Sequence, residues 1–60
     1  MLIKVVVIED QQELRAMLAL LIQGSEGFTC LAEFENAEDA IAGIPTLNPD
    51  VVLVDINLPG

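Results

Sequence analysis

The stretch Val51-Val52-Leu53-Val54-Asp55 constrains the fold more than any other. An apolar run that stops abruptly at a carboxylate reads as a buried strand delivering charge at its carboxyl end. In open α/β sheets ligands gather at that edge, which makes Asp55 a candidate site residue. The structural alternative is that an Asp after a strand is a turn former, because its side chain bonds nearby backbone amides. This stretch alone leaves both open.

A comparable run, Leu2 to Ile8, is rich in β-branched residues and meets Glu9-Asp10, which predicts a strand covered on both faces. From Gln11 the spacing changes. Leu14, Met17, Leu18, Leu21 and Ile22 recur at helical intervals, with Gln12, Glu13, Arg15, Ala19 and Gln23 on the other face and Gly24 as a left-handed terminator. After the turn Ser25-Glu26-Gly27, Phe28 to Phe34 reads as a second strand. Phe28, Cys30, Ala32 and Phe34 would share one face; Thr29, Leu31 and Glu33 would share the other and mark an edge position. Asn36, with Asp39 three residues on, is a helix cap; Ala37, Ala40, Ile41 and Ile44 give an inward face, and Gly43 with Pro45 is expected to stop that helix. Asn48-Pro49-Asp50 is a turn signal before the last strand. The order β-α-β-α-β predicts parallel pairing through right-handed crossovers within one small domain over residues 1–60.

Composition narrows the function. The net charge is -8, from ten acidic residues against Lys4 and Arg15, which disfavours direct nucleic-acid binding because a phosphate backbone needs clustered bases. A divalent cation or a basic partner suits this balance better. Cys30 is the single cysteine and reads as a small buried hydrophobe; with no histidine there is no zinc-like ligand set. The amino-terminal apolar run is too short for a signal sequence or membrane span, so a cytoplasmic location is the default expectation. The acidic loop after the first strand lacks the glycines of a nucleotide phosphate nest.

Parallel strands end at one edge, so Glu9-Asp10 and Asp55 converge if the first and third strands are neighbours. Carboxylates gathered at one rim repel one another unless a cation neutralises them, and hard oxygen ligands without thiolate or imidazole favour magnesium.

On these residues the sequence resembles the receiver domain of two-component response regulators, from about Ile3 through Gly60. The matching pieces are the strand into Glu9-Asp10, the helix start Asn36-Ala37-Glu38-Asp39-Ala40 and the run from Pro49 to Gly60 containing Asp55-Ile56-Asn57-Leu58-Pro59-Gly60. The resemblance implies a flavodoxin-like sheet with strand order 2-1-3. It also implies a phosphorylation switch in which Asp55 accepts a phosphoryl group from a sensor histidine kinase or phosphotransfer protein. Asp10 would be a direct magnesium ligand, Glu9 a ligand through water or a support for the site, and the main-chain carbonyl of Asn57 a further ligand. Glu9 stands where that family more often has Asp.

The resemblance covers the amino-terminal half of such a domain. The hydroxyl residue and the lysine that complete the family's phosphate pocket are expected beyond the third strand, and Lys4 lies near the wrong end of the first strand to replace the latter. An incomplete receiver domain would leave Val51 to Val54 as an apolar edge open to a second copy or a complementary fragment. The non-catalytic alternative is therefore an interaction half-domain. A metal-dependent phosphatase would want a second carboxylate where Asn57 stands. Arg15, Glu26, Glu33, Glu35 and Glu38 read as solvated surface, with kinase contacts on the first helix as the competing view.

Overall fold

The computed structural model describes residues 1–55. The elements are β1 (Ile3–Glu9), α1 (Gln12–Gln23), β2 (Phe28–Phe34), α2 (Ala37–Leu47) and β3 (Val51–Asp55). They form a three-stranded sheet of order β2-β1-β3, with β1 parallel to both neighbours. The parallel pairing is what the β-α-β-α-β pattern predicts, and the order is that of the flavodoxin-like α/β sheet that the family resemblance implies. Because the two crossovers run to opposite sides of β1, right-handedness sends the two helices to opposite faces of the sheet.

β1 is the centre of the molecule. Val5, Val6, Val7, Ile8 and Glu9 are all buried, because a central parallel strand is covered on both faces as well as both edges. Val6 and Ile8 share one face with Ala40 of α2, and Leu31, Ala32, Phe34, Ile44 and Leu47 close around them. Leu31 and Ala32 therefore do not alternate as a simple strand pattern predicts. A bulge lies here: Val5 pairs with Cys30 and Val6 with Ala32, leaving Leu31 as the extra residue, and an inserted residue brings two successive side chains towards one side.

Both helices are rotated from the faces expected on hydropathy. In α1 the buried residue is Ala19, assigned above to the polar face, with Leu14, Leu18 and Ile22 half-buried; Met17 and Leu21 are exposed. In α2 the inward residues are Ala40, Ile44 and Leu47, while Ala37 and Ile41 face solvent. In each case the one fully inserted position is alanine. A methyl group lets the helix backbone lie close to the valine-rich sheet, which a larger side chain would prevent.

The helix ends also differ from expectation. α1 closes without a left-handed residue: Gly24 has φ -81°, its N–H bonds the Leu20 carbonyl at 2.9 Å, and Ser25 Oγ donates to the Leu21 carbonyl at 2.7 Å. The left-handed glycine is Gly27, at φ 88°, in the turn before β2. α2 does not stop at Gly43-Pro45 but continues to Leu47, and Asn48 ends it at φ 51°, its N–H on the Ile44 carbonyl at 2.8 Å. Pro45 forfeits one backbone bond on an exposed face. Gly43 has a packing role, since a Cβ there would lie 2.9 Å from Cζ of the Phe34 ring. The α2 start is as expected: the Asn36 side chain accepts the Asp39 N–H at 2.8 Å, and its Nδ2 donates to Asp39 Oδ2 at 3.2 Å.

Among the described residues no helix is long and apolar enough to cross a membrane.

Candidate functional site

Every strand ends at the same edge, and each brings an acidic residue there. β1 and β3 are in register from Val5 opposite Val51 to Glu9 opposite Asp55, so those carboxylates leave adjacent positions of neighbouring strands. Strand spacing puts such partners about 5 Å apart. Ile8 pairs with Phe34, and Glu35 follows one residue later at the end of β2. Ile8, Glu9, Asp10, Glu35, Ala37, Val54 and Asp55 line one open depression of about 250 Å³. Glu9, Asp10 and Asp55, expected at one rim from the strand ends, line this depression together. Asn57 lies outside the described residues.

The acidic residues differ in exposure. Glu9 is 1% exposed, the only charged side chain in the core among the described residues. Its Oε2 accepts the Gln11 N–H at 2.9 Å, while Oε1 is buried with no hydrogen-bond partner among those residues. Gln11 caps α1 by backbone geometry and not with its own side chain, so the Glu9 carboxylate serves the turn into that helix. Asp10 sits exposed in this turn and Asp55 exposed at the end of β3. A buried carboxylate oxygen without a donor is costly in the protein interior and is satisfied by a cation or ordered water. The hard oxygen donors and the unpartnered Glu9 Oε1 suit a small dication such as magnesium. Among the described residues no group of three or more His, Cys, Asp or Glu side chains is drawn together closely enough to hold an ion by itself.

Two residues read from the sequence as surface belong to this edge. Glu35 lines the depression; its position directly after a strand is the same signal that singled out Glu9 and Asp55. Arg15 is half-buried, and its Nη1 donates to the Glu9 main-chain carbonyl at 2.8 Å. The sequence signal was its place one helical turn beyond Gln11, facing the end of β1. Lys4 lies at the opposite end of β1, five residues and about 16 Å from Glu9 along the strand. Its backbone is engaged there by Asp50: the Lys4 N–H donates to Asp50 Oδ2 at 2.8 Å, and the Asp50 N–H to the Lys4 carbonyl at 2.8 Å.

Cys30 stands apart from the site, in a groove between α1 and β2 lined also by Ala19, Leu20 and Glu33. Burial, reinforced by the Glu33 carboxylate, pushes its thiol above the ordinary cysteine value, which suppresses the nucleophilic thiolate. This agrees with a packing role.

Comparison with known proteins points one way. Residues 5–60 match the family model described as the response regulator receiver domain. The chain is 41% identical over 59 residues to protein-glutamate methylesterase/protein-glutamine glutaminase 2 of Burkholderia thailandensis, covering 98% of this chain and 17% of that protein. It is 36% identical over 58 residues to the transcriptional regulatory protein BtsR of Salmonella typhi, covering 97% and 24%. With the transcriptional regulatory protein LnrK of Bacillus subtilis it shares 36% over 58 residues, covering 97% and 26%. The chain therefore spans about a sixth to a quarter of the length of these relatives. No solved structure matches it significantly.

Proposed function

The chain belongs to the response regulator receiver domain family, and on that premise we propose that it is the phosphoacceptor module of a two-component response regulator. Its acceptor is Asp55, and its donor is the phosphohistidine of a cytoplasmic sensor kinase or phosphotransfer protein. The observation that carries this reading is the registered pairing of Glu9 with Asp55 at the carboxyl ends of neighbouring parallel strands. That pairing sets an accessible carboxylate beside a buried one in a shared acidic depression.

The chemistry is a transfer between nucleophiles. A carboxylate oxygen of Asp55 attacks the phosphorus in line; the new O–P bond forms as the P–N bond of phosphohistidine breaks, and the electron pair leaves with the imidazole nitrogen. Asp55 is exposed and so is open to a partner's phosphohistidine. Asp10, Glu9 and Asp55, with the Asn57 carbonyl, would hold magnesium, whose contribution is to neutralise charge on the transferring oxygens. Glu9 fixes the β1 exit through its bond to the Gln11 N–H and thereby sets the start of the turn that carries Asp10. The acyl phosphate carries roughly one and a half to two negative charges in place of the carboxylate's one, with three strong acceptor oxygens, the kind of local change that biases a bistable element.

Incubation with acetyl phosphate and magnesium, followed by intact mass spectrometry, tests the proposal. The expected result is a mass gain of one phosphoryl group, absent in Asp55→Asn and absent without the cation. Equal labelling of the Asn variant would overturn it. The second reading is a non-catalytic interaction half-domain that associates along the outer edge of β3, and the exposure of Val51 to Val54 favours it. Sedimentation equilibrium separates that reading, which requires a concentration-dependent mass, from the first, which does not.

A further inference from the structure

The turn that carries Asp10 is closed by bonds converging from both sides. Gln11 donates its N–H to Glu9 Oε2 at 2.9 Å, Arg15 Nη1 donates to the Glu9 main-chain carbonyl at 2.8 Å, and the Arg15 N–H returns to the Gln11 carbonyl at 2.8 Å. The tripeptide Glu9-Asp10-Gln11 is thus held to the first turn of α1 at both ends, and Asp10 is its middle residue. A half-buried guanidinium directed at a main-chain carbonyl is not the arrangement of a solvated surface arginine.

We infer that Arg15 is a positioning residue for the magnesium site: it fixes the Glu9 carbonyl and thereby the direction in which Asp10 presents its carboxylate. The inference rests on the magnesium reading above. Arginine suits the task because its planar fork is pre-organised, so that less freedom is lost per bond than with lysine. Its positive charge near the site opposes a dication, whereas its geometric effect favours one. The two contributions predict opposite signs when Arg15 is replaced, and the clamp requires the geometric one to win. Supports of metal ligands of this kind typically change affinity by about tenfold or more.

The chain has two basic residues, Lys4 and Arg15, so the Arg15 Nε–H resonance in a 15N-labelled sample is unambiguous. In a magnesium titration followed by NMR, that resonance should move with the same midpoint as the Asp10 and Gln11 amides. Arg15→Met should raise the Asp10 midpoint by about tenfold, with Arg15→Lys in between. A stationary Arg15 resonance beside a moving Asp10 amide, or an unchanged or lower midpoint in Arg15→Met, overturns the clamp while leaving the magnesium site standing. An Asp10 amide that ignores magnesium overturns both. Should Arg15→Met lose its dispersed spectrum, the native Arg15 resonance and the Arg15→Lys midpoint decide between the outcomes, and an Arg15→Lys midpoint equal to the native one overturns the clamp.

Discussion

β1 and β3 lie side by side in register, each a row of aliphatic residues ending in a carboxylate, yet their surroundings are opposite. From Val5 to Glu9 every residue of β1 is buried, whereas all five residues of β3 are exposed. Hydropathy does not produce this difference; position in the sheet does. β1 has strands on both edges and helices over both faces, while β3 borders one strand among the described residues. The two carboxylates inherit the contrast. Glu9 is buried and fixed by its bond to the Gln11 N–H, and Asp55 is accessible, as the acceptor role proposed for it requires.

The sharpest way to break the comparison is to put the same charge on each strand. Val6 and Val52 are paired across the β1–β3 ladder, with exposures of 0% and 39%. Val6→Asp should cost at least about 3 kcal/mol by burying an unpaired charge and abolish the cooperative urea transition, whereas Val52→Asp should cost about 1 kcal/mol. Comparable losses would show that β3 is as enclosed as β1.

A smaller effect is expected from the carboxylates themselves. Glu9→Gln keeps the shape of the side chain and an acceptor for the Gln11 N–H but removes the charge beside Asp55. Magnesium binding measured by calorimetry should weaken about tenfold, with the fold retained by circular dichroism. Unaltered affinity would confine Glu9 to structure.

The smallest concerns how β3 is held to β1 at its start. Asp50 makes two bonds to the Lys4 backbone, one from its side chain and one from its N–H. Asp50→Ala removes the side-chain bond and should cost about 1 kcal/mol, with faster amide exchange in β3 than in β1. Uniform protection across the two strands would contradict the view of β3 as the less secure of the pair.

Much of this was legible in the sequence because it rests on local signals. The two aliphatic runs, the Asn36–Asp39 cap and the acidic strand ends predict the element order and parallel pairing; the strand order that brings Glu9 beside Asp55 is what the family resemblance implies. What escaped depends on tertiary fit. Ala40 faces inward as its spacing predicts, but Ala19 does so because close approach of helix to sheet outweighs side-chain hydrophobicity, and no periodicity announces that Met17, Leu21 and Ile41 turn outward. Gly43 resembles a helix stop until the Phe34 ring is seen against it. Leu31 alternates cleanly in sequence, but the bulge moves it to the face of its neighbour. Arg15 and Glu35 read as surface because a lone charge on a helix or after a strand usually is; only the geometry of the β1 exit gathers them to the site.

The central claim is that Asp55, and no other carboxylate of this crowded edge, receives the phosphoryl group. Borohydride reduction of an acyl phosphate converts the modified aspartate to homoserine, which peptide sequencing by mass spectrometry can locate. After treatment with acetyl phosphate and magnesium, homoserine is predicted at position 55 alone. Homoserine at Asp10, or a reduced glutamate at Glu9 or Glu35 with Asp55 intact, would contradict the assignment.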